Sequence, residues 1–277
     1  MALRLGEMLL AAISELRIQP TPKRVRAKLG DETVVDTSRA LLVWEPRRVV
    51  PTYAVPIEDI RGELVETGSF DRSDTLPLVT MGTGGPEVIE SADFDLHTTD
   101  GQNLTLRSGQ TERARAAFRP TDPDLAGYVI LDFDAFDTWI EEEEPVRGHP
   151  RDPFHRVDVR QSARHVRVEW GGELLADSSR PRLVFETKLS PRFYLPRDDV
   201  RDEVLRPSST RTICAYKGEA GYFSVELAGR TVEDVAWSYE DPLPDAAELA
   251  GYVSFFDERV DVTLDGELRE RPQTPWS

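Results

Sequence analysis

Along most of the chain, apolar and polar residues alternate in short runs, the period of a half-buried β-strand. Val166 to Trp170 alternates in this way, breaks at Gly171-Gly172 and resumes from Glu173 to Ala176. Two such runs joined by two glycines predict a tight hairpin. Leu29-Gly30-Asp31-Glu32 repeats the turn near the start of the chain. Further strands are predicted at Arg182 to Glu186, Thr210 to Tyr216, Tyr222 to Leu227, Val235 to Tyr239 and Tyr252 to Leu264, all rich in Val, Phe, Tyr or Trp. Helical spacing appears at Leu5, Met8, Leu9, Ala12, Ile13 and Leu16. It predicts an amphipathic helix over 3–17, ended near Pro20 and Pro22, with its apolar stripe packed on the protein. Glu112 to Phe118 is the best second helix candidate. The fold class that follows is mainly β, with a short N-terminal helix.

An internal repeat organises these elements. Val25 to Arg39 matches Val166 to Arg180 at an offset of 141, and Glu45 pairs with Glu186 at the same offset. After one deleted position, Pro51, Tyr53, Pro56, Asp59 and Arg61 pair with Pro191, Phe193, Pro196, Asp199 and Arg201. Leu125 to Val129 then matches Leu249 to Val253 at an offset of 124, so the first copy spends more residues between the blocks. Two copies of this length predict two homologous domains rather than a solenoid, which needs more and shorter units. The predicted organisation is a lead-in over 1–22, a first domain over 23–140, a linker over 141–153, a second domain over 154–270 and a tail over 271–277. The linker rests on four consecutive glutamates, Glu141 to Glu144, followed by Pro145, Gly148, Pro150 and Pro153.

Composition narrows the function. The 277 residues carry 51 acidic against 34 basic side chains, a net charge of −17, which argues against a nucleic-acid partner. No run of apolar residues is long enough to span a membrane. Arg4, Glu7, Glu15 and Arg17 interrupt the apolar run Met8 to Ser14 too closely for a signal core, so the expected compartment is the cytoplasm. One cysteine, Cys214, excludes an intrachain disulfide and any multi-thiolate zinc site. Gly82-Thr83-Gly84-Gly85 lacks the lysine of a phosphate loop and the spacing of a dinucleotide fingerprint, so no cofactor is expected. Gly84-Gly85 followed by Asp93-Phe94-Asp95 has a superficial likeness to a polymerase-type transferase signature, at too short a spacing.

Several motifs in order carry a family resemblance. They are His149 to Val159, Ala176 to Arg180, Phe185-Glu186-Thr187, Tyr194 to Val200, Cys214 to Ala220, and Ala236 to Tyr239 with Pro242-Leu243-Pro244. Together they resemble the DUF427 family, densely over 149–266 and more thinly over 23–140. The resemblance implies two tandem domains of coiled antiparallel sheets similar to the Mss4-like, or β-tent, group. It also brings a nucleotidyltransferase label. Many β-tent relatives hold zinc with paired Cys-x-x-Cys motifs, which this sequence lacks.

The candidate site lies in the second copy. Tyr216-Lys217-Gly218-Glu219-Ala220-Gly221-Tyr222 leaves a strand with a cation, turns through two glycines and re-enters a strand with an aromatic residue. Glycine lets a backbone approach a ligand closely, and Lys217 offers a point charge to a phosphate or carboxylate, in a chain with four lysines. The competing reading is a hairpin with solvated Lys217 and Glu219. Tyr216, Tyr222, Trp237 and Tyr239 are candidate pocket walls or core. Aligning Gly101 with Gly221 places His97 opposite Lys217 in the first copy. Asp177, Arg180 and Glu186 form a second cluster whose counterparts Asp36, Arg39 and Glu45 recur, which favours a structural ion pair or cap, with ligand contact by Arg180 or Asp177 as the minor reading. Cys214 with His149, His155 or His165 as base is a weak nucleophile candidate. Three functions follow: a module binding a small polar or anionic ligand, an enzyme nominally transferring nucleotides through Lys217 with Glu219 or Asp177, and a protein-interaction scaffold.

Overall fold

The computed structural model describes residues 2, 4–67, 76–81, 85–89, 93–227, 229–272 and 274. The chain divides into two units, residues 1–79 with 86–152 and residues 80–85 with 153–277. Both are built almost wholly from antiparallel strands.

In the first unit a short helix, α1 (Leu5–Ala11), is followed by β1 (Arg17–Pro20), β2 (Val25–Leu29), β3 (Glu32–Thr37), β4 (Leu41–Trp44) and β5 (Thr52–Pro56). Then come β6 (Glu63–Glu66), β7 (Leu78–Thr80), β8 (Glu87–Ile89), β9 (Gly101–Ser108) and β10 (Thr111–Pro120). The last are β11 (Tyr128–Leu131), β12 (Thr138–Glu141) and β13 (Glu144–Val146). A seven-stranded sheet has the order β1-β4-β5-β11-β10-β9-β6, and a four-stranded sheet the order β13-β12-β2-β3.

The second unit begins with β14 (Val157–Gln161), β15 (Val166–Trp170), β16 (Glu173–Ser178), β17 (Arg182–Glu186) and β18 (Arg192–Pro196). It continues with β19 (Leu205–Cys214), β20 (Gly218–Leu227) and β21 (Arg230–Ser238), and ends with β22 (Tyr252–Phe255), β23 (Asp261–Leu264) and β24 (Glu267–Leu268). Its sheets run β14-β17-β18-β22-β21-β20-β19 and β16-β15-β23-β24, the same topology strand for strand. The two-stranded ribbon β7–β8 has no counterpart among the described strands of the second unit.

The repeat extends to backbone irregularities that no residue pattern announces. Register shifts fall at Ala27/Lys28 in the first unit and Val168/Glu169 in the second. Among the described residues, the non-glycine residues with positive φ pair between copies: Arg47 with Lys188, Arg115 with Asp234, and Glu142 with Asp265. The two-glycine turn is as predicted, Gly171 and Gly172 both taking the positive φ that such a hairpin requires.

Alternation along the central strands explains why both faces of each large sheet are covered. In β18, Phe193 and Leu195 join the core beneath the four-stranded sheet, while Tyr194 between them joins a second cluster on the opposite face. Leu42 and Trp44 against Leu41 and Val43 divide β4 in the same way. In the second unit, the 3-10 segment Pro244–Leu249 closes over that outer cluster with Ala246 and Leu249.

Three expectations are corrected. Glu112 to Phe118 lies inside β10, because pairing with β9 on both sides of an irregularity between Arg113 and Ala117, and with β11 at Ala117 and Phe118, makes it a strand. The glutamate run is paired rather than loose: Glu141 ends β12 and Glu144 begins β13, so the four residues form a hairpin, while the division between units, after residue 152, lies within the expected stretch 141–153. The N-terminal helix is shorter than 3–17, and its stripe does not pack as expected: Leu5, Met8 and Leu9 are exposed, while Ile13 beyond the α-helix is buried. No helix among the described residues is long and apolar enough to cross a membrane.

Candidate functional site

Strands β19 and β20 form a hairpin in which Cys214 pairs with Gly218 and residues 215–217 make the turn. Gly218 closes that turn at φ +99°, a conformation glycine adopts without a Cβ penalty. Gly221 is not part of the turn but lies within β20, paired with Arg211 and Ser238. The turn is roofed over: the Leu243 amide donates to the Lys217 carbonyl at 3.1 Å. Lys217 therefore points inward, with its side chain 11% exposed. Its ammonium donates to Oε1 of Glu186, the last residue of β17, whose side chain is 6% exposed. His155 completes the group, with Nε2 3.4 Å from Glu186 Oε2 and its ring 4.4 Å from that of Tyr216. Neither a solvated hairpin lysine nor an uncommitted cation describes Lys217, because burial of an ammonium requires a partner.

The outer face of the large sheet supplies the surroundings. Trp237 Nε1 donates to the Tyr194 hydroxyl at 2.9 Å, and both residues are buried with Tyr239 in one cluster. Tyr222 is half-buried at the margin, and its hydroxyl lies 2.9 Å from Thr212 Oγ1. The guanidinium of Arg192 lies 5.7 Å from the Trp237 indole and makes two hydrogen bonds to Glu258, of 2.9 and 2.6 Å. Asp257 lies 3.6 Å from the same guanidinium.

These surroundings set the protonation states. Burial works against the Glu186 charge, but the His155 hydrogen bond and the Lys217 ammonium outweigh it and lower its pKa to about 2. Burial likewise opposes the Lys217 charge, yet its pKa is raised by Tyr194 and Glu186. Near neutral pH the carboxylate does this work, since burial pushes the Tyr194 phenol up to about 12 and keeps it un-ionised. Burial also raises Tyr239. Asp257 is raised to about 6 because burial outweighs the opposing charge of Arg192.

The structure thus brings together Tyr216, Lys217, Gly218, Trp237 and Tyr239, with Tyr222 at the edge. Three other candidates lie on separate networks. Glu219 is exposed and faces Arg211 at 3.8 Å. Arg180 grips Asp199 through two hydrogen bonds of 3.1 and 2.9 Å, with Ser178 on the same carboxylate. Arg39, Asp59 and Thr37 repeat that arrangement in the first unit, a turn clamp common to both copies. Asp177 is exposed and pairs with His165 at 2.6 Å and Arg167 at 3.4 Å. Sequence reasoning placed Glu186 in the wrong cluster, although its recurrence as Glu45 was a usable signal. It missed Tyr194 and Arg192, which alternation marks only as strand residues.

The first unit holds a carboxylate at the same place in another setting. Glu45 Oε1 accepts from the Thr98 amide at 3.0 Å, the Thr99 amide at 3.1 Å and the Thr99 hydroxyl at 2.6 Å, while His97 Nδ1 lies 2.8 Å from Oε2. Phe118 stacks on the His97 ring with centroids 3.6 Å apart. Strand register corrects the sequence alignment by one residue. Phe118 stands opposite Ile130 as Trp237 does opposite Ser254, and the β9–β10 and β20–β21 hairpins superpose at an offset of 119. That offset puts Thr98, not His97, opposite Lys217, and His97 opposite Tyr216. Asp93 and Asp95 line a groove of about 420 Å³ in the first unit with Asp132, Asp134 and Arg115. Gly84, the other half of the transferase likeness, lies outside the described residues.

No curated protein matches the chain. The family described as Domain of unknown function (DUF427) matches residues 17–74 and 158–266, one segment in each unit and together more than half of the chain. The two matched segments fall on the two copies of the repeat, and the second contains Glu186, Lys217, Trp237 and Tyr239: the chain belongs to the DUF427 family.

Proposed function

We propose that the second unit binds a small polar molecule on the outer face of its large sheet, at Glu186 and Lys217, beside the buried cluster of Tyr194, Trp237 and Tyr239. The observation that carries this reading is the difference between two equivalent carboxylates. An ionised carboxylate has about four acceptor positions. Glu45 accepts three hydrogen bonds on Oε1 alone and meets His97 on Oε2. Glu186, equally buried, meets Lys217 on one oxygen and His155 at 3.4 Å on the other. Buried charges left short of partners are costly, and strongly shifted ionisable groups cluster at functional sites.

The same geometry favours binding over nucleotide transfer. Among the described residues, Glu186 is the one carboxylate in contact with Lys217, while Glu219 and Asp177, the carboxylates a transfer reaction would recruit, are engaged elsewhere. A thermal-shift screen of the full chain against a metabolite library tests the reading, because a ligand raises apparent stability by mass action. Hits are expected to lose their effect in Glu186→Gln. Hits that stabilise this variant and the natural chain equally would overturn the site.

A further inference from the structure

The unfilled hydrogen-bonding capacity around Glu186 and Lys217 has a definite pattern. Among the described residues, Lys217 Nζ donates to Glu186 Oε1 alone, although an ammonium carries three hydrogens. Glu186 Oε1 accepts from Lys217 alone, and Oε2 makes one long hydrogen bond, of 3.4 Å, with His155. The Tyr194 hydroxyl accepts from Trp237 and has its own hydrogen to give. Donor and acceptor capacity thus stand side by side, while the ion pair itself is neutral in sum. A carboxylate ligand would gain from Lys217 and meet Glu186; a cation would gain from Glu186 and meet Lys217. Each would also leave its own charge uncompensated in a buried place.

The first unit displays the complementary chemistry. There the groups that fill Glu45 Oε1 are two consecutive backbone N–H groups and a hydroxyl, all uncharged donors. In the second unit the equivalent stretch carries Lys217 and runs on into β20, so Glu186 receives a charged donor in their place.

Resting on the binding function proposed above, we infer that the ligand presents an uncharged amide edge, its N–H donating to Glu186 and its C=O accepting from Lys217. Such a ligand fills both open capacities and adds no net charge.

Three probes of one shape and different charge test this: benzamide, benzoate and benzamidine, titrated into the ¹⁵N-labelled full chain at neutral pH and followed by amide shifts. Benzamide is expected to move the resonances of Lys217, Gly218 and Trp237, with benzoate and benzamidine at least about tenfold weaker at the same residues. In Glu186→Gln the uncompensated Lys217 should turn the preference toward benzoate, and in Lys217→Met the uncompensated Glu186 should turn it toward benzamidine. If a variant fails to fold, the order of the three probes on the natural chain still decides. Benzoate binding best to the natural chain would overturn the amide edge and leave the site standing. No shift at these residues with any probe would overturn the amide edge, and the library screen would then judge the site by itself.

Discussion

Replacing Lys217 by methionine keeps the length of the side chain and removes its charge, leaving Glu186 buried with His155 as its remaining partner. The magnitude can be reached in two ways. Breaking a buried ion pair from one side costs about 3–5 kcal/mol. Independently, Glu186 is lowered from 4.5 to about 2 with Lys217 and His155 in place, and at about 1.4 kcal/mol per unit this corresponds to about 3 kcal/mol of stabilisation of the carboxylate. The expected loss is therefore about 3 kcal/mol, minus whatever His155 retains. The sign with pH follows from a depressed carboxylate pKa. The Glu186 contribution is fully present above the unfolded value near 4.5 and is lost as pH falls toward 2. In Lys217→Met this acid-side loss should shrink, because less stabilisation remains to be lost. Urea unfolding of the full chain at neutral pH and at pH 3, followed by tryptophan fluorescence, reads both effects; Trp170 and Trp237 report the second unit, Trp44 and Trp139 the first. Adding Glu186→Leu to Lys217→Met should recover most of the loss, since an apolar pair in place of a buried ion pair is often neutral or better. A single-variant cost below about 1 kcal/mol would refute the reasoning, for that is the range of a solvated surface pair.

Two further perturbations read separate parts of the structure. Asp257, raised to about 6 by burial against an ordinary 3.8, destabilises the fold as pH rises through that interval, so Asp257→Asn should raise the melting temperature at pH 7.5 and lose the gain by pH 4; an equal gain at both pH values would exclude the titration as its source. Gly218→Ala forces an L-residue to φ +99° with a Cβ 3.3 Å from the Asp241 carbonyl and should cost about 1–3 kcal/mol in denaturant unfolding, whereas Gly221→Ala, inside β20 with its nearest neighbour at 3.8 Å, should cost much less; equal costs would contradict the described turn.

Much of the architecture was legible because burial imposes period 2 on a strand and duplication writes the pattern twice. Val166 to Trp170 and its glycine turn could be read directly, and the match of Glu45 to Glu186 showed that both copies keep a carboxylate at the same position. The errors arose where tertiary packing, not local pattern, decides. Arg113 and Arg115 alternate poorly, yet neighbours on both sides draw their segment into β10. The glutamate run carries linker chemistry but is zipped into a hairpin by Trp139 and Val146 on either side of it. The competing reading of a solvated Lys217 could not be dismissed from the sequence, because the covering segment at Leu243 that buries it lies more than twenty residues away. Arg192 and Tyr194 flank a core phenylalanine, and nothing local distinguishes an outward strand position facing solvent from one facing a second cluster.

The central claim is that Glu186 and Lys217 are the floor of a ligand site in the second unit. An experimental structure of the full chain with the strongest hit of the metabolite screen tests it most directly. The account predicts the ligand within hydrogen-bonding reach of the Glu186 carboxylate and the Lys217 ammonium. A ligand seated in the first unit's groove at Asp93 and Asp132, with the Glu186–Lys217 pair untouched, would contradict it.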